Sequence, residues 1–157
     1  VKIKNLVVLM FSVISISGCH DEKEQNLQKQ KEALVQSKNS FFDVIQAAKA
    51  LSQELEVCSL ETKSFRLCES GTNGVPENVL KGKARNKYIS TVTTTIEKDV
   101  DDSFTATISS EAVGAGASVE GLNGETYILK GSIDKRTGYA QWKIDPASTC
   151  LKAGLCS

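Results

Sequence analysis

The 157 residues carry 19 Lys plus Arg against 19 Asp plus Glu and one histidine, and this neutral balance excludes a chain that coats nucleic acid along its whole length. Hydrophobic residues at 40% and charged residues at 24% are those of an ordinary folded domain rather than wholesale disorder. A single histidine, His20, nearly excludes His-based triads and multi-His metal sites, whereas five cysteines point to disulfides or a modified cysteine.

The chain opens with Lys2 and Lys4, followed by an apolar stretch over 6–16. That stretch is far shorter than the roughly 20 residues a membrane span needs. A basic start, a short apolar core and a small-residue end form a secretory signal peptide. The end, Ile16-Ser17-Gly18-Cys19, resembles the bacterial lipobox, in which an aliphatic and two small residues precede a lipidated cysteine. The resemblance implies cleavage after Gly18, thioether lipidation of Cys19 and acylation of the new amino terminus. Two or more buried acyl chains hold firmly where one holds only marginally. Residues 1–18 are thus expected to be a signal peptide, and Cys19 the membrane anchor. In lipoproteins of this class, Asp directly after the cysteine retains the protein at the inner membrane. His20 stands there instead, which implies the outer membrane. Loss of Lys2 and Lys4 leaves 17 basic against 19 acidic groups, a net charge of −2.

Residues 19–32 are almost entirely polar and read as a solvated tether or helix. From Leu27, apolar residues recur every seven positions at Leu34, Phe41, Ala48 and Leu55, with a second row at Val44, Leu51 and Cys58. No Gly or Pro interrupts 21–69. This predicts a long amphipathic helix with a face suited to a sheet. Gly71, Asn73, Gly74 and Pro76 then mark a loop. Beyond it, β-branched and alternating runs predict strands over 88–97, 103–109, 126–133 and 139–144. Turn-like connectors at 98–102 and 134–138 make two hairpins. The expected fold is α+β: a long N-terminal helix packed on a four-stranded antiparallel meander over 33–157.

This order of elements resembles the globular head of type IV pilins. Gly71-Thr72-Asn73-Gly74-Val75-Pro76 is similar to the glycine-proline stretch of the pilin αβ-loop, and Lys87-Tyr88-Ile89-Ser90-Thr91-Val92-Thr93 to the first pilin strand. Phe104-Thr105-Ala106-Thr107-Ile108, Gly124-Glu125-Thr126-Tyr127-Ile128-Leu129 and Gln141-Trp142-Lys143-Ile144 are similar to the next three. Pro146-Ala147-Ser148-Thr149-Cys150 is similar to the closing Pro-Ala-Ser-Cys of many pilins. The chain departs from the family at its start: Cys19 follows Gly18, Lys23 stands where pilins have glutamate, and charged residues replace the apolar stem. The resemblance therefore implies a pilin-like head on a lipid anchor, without the stem that enters a filament core.

Four cysteines remain, Cys58, Cys68, Cys150 and Cys156, and an oxidising compartment favours disulfides. They permit three pairings; local pairing gives Cys58–Cys68 and Cys150–Cys156. Without a Cys-x-x-Cys or a histidine companion, no metal site is expected. No cofactor and no catalytic residue is expected either: Gly114 and Gly116 lack the third glycine and following helix of a phosphate cradle. Lys81, Lys83, Arg85 and Lys87 form a basic cluster beside Tyr88. It reads either as a solvated loop or as a phosphate-contacting stripe, with Lys130, Lys135, Arg136, Lys143 and Lys152 as candidates to extend it. The expected function is a non-catalytic lipoprotein whose head binds a protein partner: a type IV pilus component, another surface protein or a host surface. The rival is a DNA-binding receptor acting in DNA uptake, which some pilin-like proteins are.

Overall fold

The computed structural model describes residues 21–114 and 121–156. The chain forms two compact units, 1–32 and 33–157. Of the first, 21–32 are described, and they are helical. The elements are α1 (Asp21–Thr62), a 3-10 turn (Phe65–Leu67), β1 (Ile89–Lys98), β2 (Phe104–Ala112), β3 (Thr126–Ile133), β4 (Ala140–Ile144) and α2 (Thr149–Lys152). The four strands lie in the order β1-β2-β3-β4, every pair antiparallel, so the α+β plan with a meander is the observed one.

Within the second unit, Phe41, Val44, Ala48, Leu51, Leu55 and Cys58 of α1 are buried. Their spacing of three and four keeps them on one helix face. They form one core with Val92, Ala106, Ile108, Ala112, Tyr127 and Leu129, which alternate along one side of the strands. The apolar row does not run on uniformly: Leu27 and Leu34, which share its heptad positions, are exposed. A seven-residue repeat fixes only which side of a helix a residue occupies; burial needs a second element there. The other side of the sheet is polar, with Thr91, Thr93, Thr105, Thr107 and Ser109 pointing away from the core positions. β-branched threonine suits a half-exposed pleated surface.

Helix α1 ends at Thr62, where Lys63 takes a left-handed φ of 61°. The hydroxyl of Thr62 donates to the carbonyl oxygens of Cys58 and Ser64, anchoring the exit. Phe65 of the 3-10 turn is fully buried and its ring meets Trp142 of β4 at 5.7 Å. This ties the end of α1 to the last strand. Gly121, with φ of 82°, passes so close to α1 that a Cβ there would overlap the Ser37 hydroxyl.

Candidate functional site

Cys19 and the expected signal peptide over 1–18 lie outside the described residues. No helix of the described residues is long and apolar enough to cross a membrane.

The cysteines pair locally, Cys58–Cys68 and Cys150–Cys156, with Cα separations of 5.9 and 5.4 Å. The first joins the last turns of α1 to the residue after the 3-10 turn. The second closes a small ring in which Cys150, Leu155 and Cys156 are buried while Leu151 and Lys152 are exposed. The ring is held against β3 by side chains. Ser148 Oγ accepts from the Ile128 N–H, and Thr149 Oγ1 from the Thr126 N–H. The Thr149 N–H donates in turn to Thr126 Oγ1. Two hydroxyls thus take the place of a strand beside the first half of β3, where β4 does not reach.

Lys81, Lys83, Arg85 and Lys87 are all exposed on the loop that leads into β1. Lys81 and Lys87 line one concavity of about 460 Å³ with Asn86, Ile89 and Val113; Lys83 and Arg85 do not line it. The Lys87 ammonium stands 4.8 Å from the centre of the Tyr88 ring, a cation–π geometry. Asn86 Nδ2 donates to Asp43 Oδ2 and fixes the loop to α1. Three of the cations that sequence offered to extend this cluster are engaged or placed elsewhere. Lys130 pairs with Asp145 at 2.7 Å and Lys135 with Asp101 at 2.8 Å. Lys143 belongs to β4, at the opposite edge of the sheet from β1. Sequence proximity could suggest the companions but not which edge each strand occupies.

A cleft of about 600 Å³ lies where the β1–β2 and β3–β4 turns come together, lined by Lys63, Ser64, Phe104, Ile133 and the Asp101–Lys135 pair. The Lys135 ammonium and the Ser103 hydroxyl, both donating to Asp101, hold its carboxyl far below the ordinary carboxylate range. Among the described residues no group of three or more His, Cys, Asp or Glu side chains gathers as metal ligands would.

The outer edge of β4 is a feature that sequence reasoning missed as a specific site. The signal was a terminal strand of a meander, but which backbone groups it leaves open depends on register.

Comparison of the chain with protein-family models, with curated proteins and with solved structures finds no match.

Proposed function

We propose that this chain is a lipid-anchored protein of the bacterial cell envelope, held in the outer membrane through Cys19, whose pilin-like head binds a protein partner without catalysing a reaction. The carrying observation is the disulfide-closed ring at 150–156, which turns Leu151 and Lys152 to solvent while its base is fastened to β3. A short, covalently closed loop on a rigid sheet is preorganised for recognition, because little freedom is lost when it docks. The lipobox supports the anchor, and the ordered motifs from the αβ-loop to the closing Pro-Ala-Ser-Thr-Cys stretch support the pilin-like class. The partner on this reading is a type IV pilus component or another surface protein.

Two measurements test the reading. Metabolic labelling with palmitate is expected to mark the chain and to leave Cys19→Ala unmarked; equal label in both would reject the anchor. Cross-linking in whole cells is expected to trap a protein partner, and Leu151→Asp with Lys152→Glu to abolish the trapped product. A product unchanged by those substitutions would remove the ring from the binding surface.

The basic loop favours a second reading, DNA binding during uptake. None of Lys81, Lys83 and Arg85 forms an ion pair among the described residues, so all three cations are open to phosphate. Four phosphate contacts would give a slope of about −3.6 in log affinity against log salt. The double variant Lys83→Ala with Arg85→Ala is expected to reduce that slope by about 2 in a gel-shift titration. A shift absent at low salt, or one insensitive to the double variant, would end the DNA reading.

A further inference from the structure

We infer that the outer edge of β4 is a docking site for an extended acidic segment of a partner protein, which adds to the sheet as a fifth strand. This rests on the reading of the chain as a protein-binding head and specifies where the partner sits and what chemistry it carries.

The register places the open groups. The Asp134 N–H donates to the Tyr139 carbonyl, and the Asp145 N–H to the Ile128 carbonyl. Between these lie the pairs Ser132↔Gln141 and Lys130↔Lys143. Hydrogen-bonded pairs alternate in an antiparallel ladder, so Gln141 and Lys143 turn their backbone groups to β3. Ala140, Trp142 and Ile144 turn theirs outward, and no described residue bonds them. The first half of the outer edge of β1 is closed. Val79 exchanges both backbone bonds with Val92 on the outer side of β1, and Asn78 Oδ1 accepts from the Thr94 N–H. Ser148 and Thr149 close the part of β3 that β4 leaves uncovered. Addition of a strand to an exposed edge is a recurrent mode of peptide recognition.

Charge selects the occupant. From Gly138 to Cys156 the only side-chain acid is Asp145, and Lys130 holds it. Lys143 and Lys152 are exposed and have no acidic partner among the described residues. A second copy of the chain fits poorly. Antiparallel pairing centred on Trp142 sets Lys143 diagonally across from the Lys143 of the second copy. A slip by two residues, which moves the centre of pairing to Lys143, sets the two lysines directly opposite. Like charges across strands oppose pairing, and an edge lysine is a common guard against self-association. An acidic strand meets neither obstacle. Ala140, Trp142 and Ile144 present half-buried side chains toward the core side, and Tyr139 and Leu151, 58% and 40% exposed, lie just before the strand and in α2 after it. The matching segment therefore alternates: apolar residues on the side of Trp142, acidic residues on the side of Lys143.

The probe is a peptide of about ten residues alternating Glu and Val, with a Lys–Val peptide as comparator, each titrated to about 1 mM into the isotope-labelled full chain in mild detergent. Amide exchange of Ala140, Trp142 and Ile144 is expected to slow by about tenfold or more with the Glu–Val peptide. Gln141 and Lys143, already bonded to β3, are expected to change little. Lys143→Glu leaves the ladder intact and is expected to transfer the preference to the Lys–Val peptide. Ala140→Pro removes one outward N–H at a strand start, where proline is tolerated, and is expected to weaken binding. Absence of protection with the Glu–Val peptide would overturn the proposal, as would equal protection by both peptides. Protection without peptide that grows with protein concentration would show self-pairing and overturn the choice of occupant. A cross-linked partner retained in full by Ala140→Pro and Lys143→Glu would leave the binding head standing and remove β4 as its edge.

Discussion

Gly131 lies in β3 directly beneath the indole of Trp142, and a Cβ added to it would stand 2.5 Å from the ring. The close approach, not a turn, requires glycine here. Gly131→Ala is expected to push the indole off the sheet and to cost about 1–3 kcal/mol, as overpacking does, measured by denaturant unfolding with Trp142 fluorescence reporting the displacement. Ser110 makes the opposite prediction. Its side chain is fully buried on the core face, and its hydroxyl has no hydrogen-bond partner among the described residues. A buried hydroxyl without a partner opposes folding, so Ser110→Ala is expected to raise stability by about 1 kcal/mol in the same unfolding assay. Neither position stood out in the sequence. Trp142 falls in an alternating run, but its pairing with Gly131 joins residues of different strands and depends on register. Ser110 occupies a core position that alternation alone would have filled with an apolar residue.

The strands were the most legible elements because each carries its own alternation. The run predicted over 126–133 coincides with β3, and the other three differ at their ends by one to three residues. Two short elements were not legible. The 3-10 turn and α2 have three and four residues, too few for any periodicity, and long-range partners hold them. Phe65 packs in the core, and Ser148 and Thr149 reach across to β3. The exit from β4 into α2 also carries a pH response. The Lys130 ammonium and the Ala147 N–H donate to Asp145 and hold its carboxyl below the ordinary carboxylate range. A carboxyl depressed on folding stabilises the native state above its unfolded pKa of about 3.9, and that contribution is lost as pH falls through the folded value. Thermal melting is therefore expected to be insensitive to this pair from neutral pH down to about 4 and to fall below that. Asp145→Asn is expected to flatten part of the acid limb while leaving the Ala147 contact available.

For the molecule as a whole, one disulfide staples the exit of α1 and the other closes the chain after the last strand. Rings this small are worth about 2–3 kcal/mol each by loop-closure reasoning. Cys150→Ser with Cys156→Ser is expected to lower the unfolding free energy by about 2 kcal/mol and to reduce the melting temperature by several degrees, as calorimetry would show. The α+β plan and both local cysteine pairs were accessible from the sequence, because each follows from neighbours in the chain. The open edge, the turn cleft and the separation of the basic residues were not, because each depends on which strands end up side by side.

The two hydroxyls that stand in for a strand beside β3 give the C-terminal ring a protective role. While the ring is closed, Ser148 and Thr149 stay where they occupy the Ile128 and Thr126 amides. Opening the ring frees the segment that carries them and lengthens the bare margin of the sheet from β4 into β3. A longer bare margin is a template on which further chains can stack, the route to fibrous deposits. Before the ring closes, the folding chain would leave that margin uncovered. A thioflavin signal that rises with reductant, and rises without reductant in Cys150→Ser, is the expected mark of that hazard.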